Sequence, residues 1–500
     1  ARILADSGFS GGLVVQVGMR DASLALAFGK LPNALVQGLV ADAGALNGFR
    51  ERIREAELYG RVSAVAWKGP HLPYGDRMVN LLLVLDEAIE LDPKEIDRVL
   101  APLGVVMVRR AGTLVPRRKA WPDEYDEWTH ARYDSTGNAV SKDRRSGPPN
   151  HLQWSAHPRW NRGTKTSGMV SARGRVFCIL DDGLFASTTS EWALLAHDAH
   201  NGIQLWRHPI PGWGGAPMGK KVGPAQVNRR LVARDDRVYA TLSGLGPVSV
   251  LDAATGRILR NLDDTKNVEE FVLSDGVLLA LVNRNPQVDF WKKANPDLRI
   301  VAVAPETGKL LWEHAAPYVL PLTLAADGKQ AVYHDGAVIR SLDLKTGALR
   351  WESAPTGQKV VYPETANPDR PGGEPSTIWI APQFAPTLMI YGDVVAFAGG
   401  QQLTVVSADD GKQLWRADYP ASNYSVPVDL FGFGGLMIEV TATGAHVGVV
   451  GINAGPLFPE PELGWFLYEG QEGRGYATEA AGALRDWAFA HCKLPTLVSY

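Results

Sequence analysis

A short pattern of apolar and polar positions recurs five times in the middle of the chain. Each copy has an apolar stretch, a polar turn that contains glycine, and a second apolar stretch that usually ends in tryptophan. Glycine suits the turn because it adopts a positive φ without a steric penalty. Strand pairs that recur with a fixed turn and a fixed aromatic residue predict the blades of a β-propeller. The copies span residues 195–206, 250–260, 303–312, 342–351 and 406–415.

The tryptophan that closes the repeat predicts how neighbouring blades meet. A large flat side chain at this position would wedge between one blade and the next. Four copies carry it, whereas the second copy has Arg260, so one wedge is expected to be missing. We expect an all-β propeller over residues 166–430, with at least five blades and an incomplete ring.

Residues 1–115 follow a different pattern, in which short apolar strands alternate with amphipathic helices. This alternation predicts a mostly parallel sheet, that is, an α/β Rossmann-like domain. The predicted strands lie at 13–18, 36–40, 81–85 and 105–108, and the predicted helices lie at 22–29, 45–58 and 93–100.

Residues 431–500 show a third pattern, which predicts a small α+β module. Three strands at 434–440, 443–451 and 461–468 precede a glycine-rich turn and a helix that runs to His491. One face of this helix is apolar, so we expect it to dock on the sheet. The apolar residues are Ala477, Ala480, Ala481, Leu484, Trp487 and Ala488.

Composition and charge narrow the function classes. The chain of 500 residues is 45% hydrophobic and 21% charged, which is typical of a soluble protein with several domains. Its formal net charge of -3 argues against nucleic acid as the main partner. Short basic runs at 109–110 and 117–119 are predicted to lie in a solvated, proline-containing connector. Residues 116–165 are predicted to connect the first module to the propeller.

Cysteine content and hydropathy add little about the compartment. Cys178 and Cys492 are far apart, which excludes a disulfide framework and leaves the localisation open. No apolar run approaches the about 18 residues that a membrane span needs, so we predict none. The chain begins at Ala1 and stops inside an apparent strand at 494–500, so we expect a fragment at both ends.

An acidic cluster in the connector contains residue types that can bind a metal ion. It contains Asp123, Glu124, Asp126, Glu127 and His130. The spacing matches neither a calcium loop nor a zinc site. We therefore interpret the cluster as a solvated acidic strip and predict no metal.

The first module carries two stretches, Leu72–Asp76 and Arg98–Gly104, that resemble motifs of the class I S-adenosylmethionine methyltransferases. The resemblance implies a cofactor loop after the first strand. Of the glycines in that loop only Gly18 is kept, and Arg20 and Ala22 replace the others.

The acidic positions of the same cofactor site are also changed. Gln16 replaces the acid of the first strand, and Val40 replaces the acid that would hold the ribose, with Asp42 two positions late. Gly18 and Asp42 would then be remnants of the site. We expect a retained fold without S-adenosylmethionine, and methyl transfer is a second alternative function.

The repeats resemble the quinoprotein alcohol dehydrogenase-like propellers, whose blade motif is Asp-x-x-Thr-Gly-x-x-x-Trp. The segments Trp128–Asn138 and Gly147–Trp154 resemble the part that leads into such propellers. Catalytic members usually carry adjacent cysteines beside pyrroloquinoline quinone, and this chain has none. We therefore expect no quinone and interpret the propeller as a binding or structural platform for a protein or a small-molecule ligand.

The last module resembles the Gcn5-related N-acetyltransferases (GNAT) in the part that grips coenzyme A. The resemblance implies that backbone N–H groups of a turn at a helix N-terminus hold the pyrophosphate of acetyl-coenzyme A. It also implies Glu462 as a general base, although a charge at the strand edge explains this residue equally well. N-acetyl transfer is therefore the alternative function. The residues of the turn are Gly473, Arg474, Gly475, Tyr476 and Ala477.

Overall fold

The computed structural model describes twelve stretches of the chain, which fold into two compact units. The first unit contains Ala1–Pro122, Glu127–Asn138 and Gln153–Leu430, and the second contains Asp123–Asp126, Ala139–Leu152 and Phe431–Tyr500. The described stretches are residues 2–145, 152–155, 166–181, 191–211, 227–285, 297–357, 386–418, 435–443, 445–453, 460–468, 470–492 and 494–499.

The first unit begins with a six-stranded sheet in the order β3-β2-β1-β4-β5-β6. Strands β1 to β5 pair in parallel, which confirms the predicted α/β domain. Apolar side chains cover both faces, as expected for a parallel sheet. The strands are β1 Gly12–Val17, β2 Ala34–Val40, β3 Val62–Ala66, β4 Val79–Val84, β5 Leu100–Arg110 and β6 Thr113–Arg118, with helices α1 Arg2–Ser7, α2 Ser23–Gly29, α3 Leu46–Glu55 and α4 Pro93–Val99.

The sheet ends in an antiparallel β5–β6 hairpin that the sequence analysis missed. The turn at Ala111 and Gly112 has a positive φ at both residues, which matches the twist of a tight hairpin. Arg109 pairs with Leu114, and Val106 pairs with Arg117. The prediction that the basic runs lie in a connector is therefore wrong, and β6 passes through the boundary expected at residue 115.

Five four-stranded antiparallel sheets follow in the same unit, which confirms at least five blades. The first strand of these sheets, β7, begins at Thr166. The expected boundary at residue 430 falls in 419–434, outside the described residues. The blades are β7 Thr166–Ala172, β8 Arg175–Asp181, β9 Trp192–Asp198 and β10 Gln204–Pro209; β11 Leu231–Arg234, β12 Arg237–Thr241, β13 Val248–Asp252 and β14 Ile258–Leu262; β15 Val268–Ser274, β16 Val277–Asn283, β17 Leu298–Ala304 and β18 Lys309–Ala315; β19 Ala325–Ala326, β20 Gln330–His334, β21 Ile339–Asp343 and β22 Leu349–Glu352; and β23 Thr387–Tyr391, β24 Val394–Gly399, β25 Gln402–Ser407 and β26 Gln413–Asp418.

In four of the five described blades, one backbone residue of the repeat turn accepts a hydrogen bond from a tryptophan that precedes the blade in the chain. In the second blade, the N–H of Ala253 donates to Asp236 O at 3.1 Å, and its carbonyl accepts from Trp206 Nε1 at 2.9 Å. A Cβ on Gly256 would lie 2.6 Å from the Trp206 ring, so the turn needs glycine to admit the wedge. Equivalent Trp-to-carbonyl bonds join Trp154 to Ala199, Trp312 to Leu344 and Trp351 to Ala408.

The junction between the second and third blades departs from this pattern, as the sequence predicted. Arg260 takes the tryptophan position, and its Nη1 lies 3.9 Å from the Cβ position of Gly308. The turn residue equivalent to Ala253 is Pro305, which has no N–H to donate. The tryptophan and the turn residue with a free N–H are therefore both replaced at this junction.

Residues 127–138 form an extended segment, here called the inner belt, that lies along the first strands of all five blades. It accepts a hydrogen bond from the same position in each blade, two residues before the first hairpin turn. Four acceptors are backbone carbonyls, and the fifth is His130 Nε2. The bonds join Ser171 to Trp128 at 2.7 Å, Ala233 to Thr129 at 3.0 Å, Leu273 to His130 at 3.0 Å, Ala326 to Ser135 at 2.8 Å and Ile390 to Thr136 at 2.9 Å.

The second unit contains the predicted three strands and helix. Strands β27 Gly435–Val440, β28 Ala445–Asn453 and β29 Glu462–Leu467 form an antiparallel sheet, and α5 Tyr476–Trp487 packs on it. After α5 the chain returns to the sheet, where Glu462 bridges Val498 in parallel. Ala481, Leu484 and Ala488 are buried as expected. Trp487 is 51% exposed, so the predicted apolar face is narrower than expected.

Candidate functional site

The carboxyl edge of the first sheet is where a methyltransferase-like fold would hold its cofactor. Gly18 follows β1 with φ +65°, but the space that a Cβ would take is filled by the Ile89 side chain. Beside it, Arg20 Nη2 lies 2.5 Å from Asp86 Oδ2. In this structure Ile89 therefore covers the Gly18 backbone, and the arrangement of these residues is a poor fit for S-adenosylmethionine.

Asp42 does not contribute to this edge as a ribose ligand would. Its Oδ1 accepts a hydrogen bond of 2.9 Å from the N–H of Gly44, which forms a local turn after β2. The residue is exposed. Gly18 and Asp42 follow the neighbouring strands β1 and β2, and the carboxylate of Asp42 is engaged within its own turn.

The two methyltransferase-like stretches are joined by a partly buried ion pair between Glu95 and Arg98. Glu95 Oε1 accepts from Arg98 Nη2 at 2.7 Å and from the Leu72 N–H at 2.7 Å. Arg98 Nη1 donates to the Tyr74 carbonyl at 2.7 Å. These bonds, above all those from Arg98, lower the pKa of Glu95 to about 2. The motif residues thus hold a loop on the sheet and do not face a ligand.

The glycine-rich turn before α5 has the geometry of an anion site. Gly473 and Gly475 have φ +74° and +82°, and a Cβ on either would meet no atom within 4 Å. The backbone is therefore open to a ligand at the N-terminus of a 12-residue helix that lacks a side-chain cap. Arg474 is exposed, and its Nη1 donates to Gln471 Oε1 at 3.4 Å. These groups fit the pyrophosphate of coenzyme A.

The remaining predicted residues of this module lie on its sheet and helix. Tyr476 begins α5 and packs against the core, and Ala477 follows it half-buried. Glu462 begins β29, at the opposite end of this strand from the turn. Six strand residues separate the two ends by about 16 Å. An extended ligand held at the turn would have to run along β29 to reach Glu462.

A cleft of about 490 Å³ lies between the first sheet and the first two blades, within the first unit. It opens at the amino ends of β1 and β4, opposite to the edge that carries Gly18. Sequence analysis missed this cleft, because its charged residues come from distant hairpin turns. The charged lining residues are Arg118, Arg173, Arg175, Arg237, Asp198, Asp236 and Asp252.

The wall of the cleft is held by a polar contact between the first sheet and the first blade. Asn80 Nδ2 donates to Asp198 Oδ2 at 2.6 Å. Asn201 Nδ2 donates to Asn80 Oδ1 at 2.7 Å and to the Met78 carbonyl at 2.8 Å. One sequence signal could have predicted this contact, because Asn201 stands where three of the other repeats have threonine.

The acidic cluster of the connector divides between the two units. Asp126 Oδ2 accepts from the Lys142 N–H at 2.7 Å, and Glu127 Oε1 accepts from the Arg173 N–H at 2.7 Å. His130 is buried in the inner belt. The prediction that it belongs to a solvated strip is therefore wrong. Burial lowers its pKa to about 3, so it stays neutral and accepts the Leu273 N–H. Within the described ranges, no group of three or more His, Cys, Asp and Glu side chains is placed to hold a metal ion.

Comparisons with solved structures return an acetyltransferase and several methyltransferases among other proteins. The acetyltransferase from Agrobacterium tumefaciens str. C58 is 70% identical, with a TM-score of 0.13, over 14% of this chain and 41% of that chain. A putative S-adenosyl-L-methionine-dependent methyltransferase from Methanococcus maripaludis is 19% identical, with a TM-score of 0.20, over 21% and 51%. Geranyl diphosphate C-methyltransferase from Streptomyces coelicolor A3(2) is 16% identical, with a TM-score of 0.20, over 21% and 41%. The chain thus spans only about 41–51% of the length of these three proteins.

Neither a curated relative nor a membrane-spanning helix in the described stretches adds to this comparison. No curated protein matches this chain. Among the helices that the structure describes, none is both long enough and apolar enough to cross a membrane.

Two family models match the chain. An acetyltransferase (GNAT) domain model matches residues 396–500. It overlaps the fifth blade, where Trp351 contacts Ala408 as in the other blades. The model described as outer membrane protein assembly factor BamB matches residues 132–317 and 296–425. Because this match covers more than half of the 500 residues, the chain belongs to that propeller family.

Proposed function

We propose that the chain is a binding platform, in which the propeller presents a surface to a protein partner and the first sheet is kept without methyltransferase activity. The observation that carries this proposal is the inner belt. It accepts a hydrogen bond from the first strand of every described blade. The cavity beside it measures only about 10 Å³. That volume holds one water and no quinone, so this cavity supports a scaffold over a dehydrogenase.

The hairpin turns of the later blades supply the surface in this proposal. Lys329 and Asp393 follow the first strands of the fourth and fifth blades, and both are exposed. Asp275 of the third blade pairs with Lys345 of the fourth at 2.6 Å, which ties adjacent turns together. Loops fixed on a rigid scaffold are the usual place for binding residues.

Site-specific photo-crosslinking tests this function. A photoreactive residue would replace Lys329 or Asp393 in the full chain, expressed in its native host. We expect both positions to crosslink the same protein, because both turns belong to one surface. The matched control is Leu349, which is 53% exposed on the outermost strand of the fourth blade. Equal crosslinking at all three positions, or none at the two turns, would contradict the proposal.

Acetyl transfer is the second candidate function, because the turn at Gly473–Gly475 is open and the GNAT model covers it. In this function the turn would bind the pyrophosphate of acetyl-coenzyme A, which supplies the acetyl group. Glu462 would accept the proton of the attacking amine. Methyl transfer has no comparable support, because Ile89 covers the Gly18 backbone.

A further inference from the structure

We propose that the cleft between the first sheet and the first two blades binds a small molecule that bears an oxyanion, either phosphate or carboxylate. The site is distinct from the blade turns of the platform, and it lies at the opposite edge of the sheet from Gly18. Its volume of about 490 Å³ falls in the range of small-ligand sites.

Arg175 is the main reason for this assignment. Its side chain is only 14% exposed, so its charge is largely removed from water. One of its five N–H groups donates, at 3.1 Å, to Ser10 Oγ, and Asp236 Oδ1 lies 3.6 Å from its Nη1, beyond a good hydrogen bond. A desolvated guanidinium with unused donors binds an oxyanion strongly, because charge-assisted bonds are worth most away from water.

A second arginine faces the cleft without a carboxylate partner in the described part of the chain. Arg118 Nη1 donates to the Leu103 carbonyl at 2.8 Å, and its Nη2 donates to the Ser7 carbonyl at 2.9 Å. These bonds hold the guanidinium in place and leave its positive charge uncompensated. Arg118 therefore adds attraction for an anion at a fixed position.

The three aspartates of the cleft reduce this attraction, but the four arginines outnumber them. Asp198 and Asp252 are engaged by their own repeat turns, where Asp198 Oδ1 accepts from the His200 N–H at 2.8 Å and Asp252 Oδ1 accepts from the Thr255 N–H at 2.9 Å. Asp236 is 62% exposed and lies between two arginines. Four arginines thus face three aspartates, and the surplus is positive.

Calorimetric titration of the full chain with pyrophosphate and with citrate tests the proposal. The chain carries Gly475→Glu, so that the turn before α5 does not add a second anion site. We expect saturable binding of at least one of the two probes, and comparing them shows whether phosphate or carboxylate is preferred. Arg175→Gln should weaken that binding at least tenfold.

Two variants keep the test decisive. Ala254→Glu places a carboxylate at the cleft without removing any bond of Arg175, and it should weaken binding at least tenfold. Arg284→Gln removes an exposed arginine that pairs with Glu313 in the third blade, and it should leave binding unchanged. Absence of saturable binding of both probes would overturn the proposal. So would binding by the Arg175→Gln and Ala254→Glu chains that is as strong as binding by the parent chain, which would indicate an adventitious ion only.

Discussion

The side-chain amide of Asn201 donates a hydrogen bond of 2.7 Å to Oδ1 of Asn80. This bond connects a turn of the first blade to the second residue of β4. The equivalent residue of the second blade is Thr255, whose hydroxyl donates to Asp252 at 2.7 Å inside its own turn. The first blade therefore departs from its repeat where it docks the first sheet.

Exchanging these residues tests the docking role. Asn201→Thr should loosen the contact by about 1–2 kcal/mol, because the hydrogen bonds to Asn80 and Met78 are lost. Hydrogen exchange would show faster exchange at residues 78–84 and 198–203. The matched control is Thr255→Asn, which should leave exchange in 78–84 unchanged. Equal exchange at 78–84 in both variants would contradict the docking role.

The tryptophan wedge makes a pair of opposite predictions. Trp206→Ala should lower the free energy of unfolding of the propeller by about 3 kcal/mol or more, because a buried ring and its bond to Ala253 are lost. Arg260→Trp should raise it by about 1 kcal/mol, because Gly308 already leaves room for a ring. Denaturant unfolding measures both changes. If Arg260→Trp lowers the free energy of unfolding, the junction between the second and third blades does not accept a tryptophan as the other junctions do.

Sequence reasoning succeeded where a pattern is local and repeated. The spacing of Gly256 and Trp206 follows from turn geometry and from the packing of one ring, so the blades could be predicted. The inner belt could not, because its bonds use backbone carbonyls, which any residue provides. The burial of His130 depends on the same long-range path.

The candidate sites also differ in whether their residues are contiguous in the sequence or come from distant segments. The turn at Gly473–Gly475 is contiguous, and its open geometry follows from three residues in sequence. The cleft is built from Arg118, Arg175 and Asp236, which come from separate hairpins. Ile89 also fills the space above Gly18 from a distant loop. The prediction that this cofactor site is lost rests on Arg20 and Val40. The sequence contained no sign of the Ile89 side chain that covers Gly18.

The partly buried ion pair of the first module predicts a pH dependence. Because Glu95 has a pKa near 2 in the folded chain, below its ordinary value of 4.5, the unfolded chain binds more protons between these values. The stabilisation is fully present above about pH 4.5 and is lost as the pH falls toward 2. Urea unfolding of the first module should show a free energy that rises with pH across this window. Glu95→Gln should flatten this rise, and an unchanged slope would contradict the assignment.

The turn before α5 predicts binding of coenzyme A. The open N–H groups at Gly473–Gly475 should give saturable binding, seen by calorimetry on the full chain. Gly475→Glu should abolish it, because a carboxylate would occupy the phosphate position. Gly482→Glu is the matched control, since this glycine lies inside α5 with no atom within 4 Å of its Cβ position. Binding that survives Gly475→Glu would place the coenzyme elsewhere.

The claim that separates a binding platform from a methyltransferase is that the first sheet holds no cofactor. Calorimetric titration of the full chain with S-adenosylmethionine measures this directly. Because Ile89 covers Gly18 and Arg20 pairs with Asp86, the account predicts no saturable heat up to a concentration of about 1 mM, which corresponds to about 4 kcal/mol of binding free energy. Saturable micromolar binding that Gly18→Leu abolishes would contradict it.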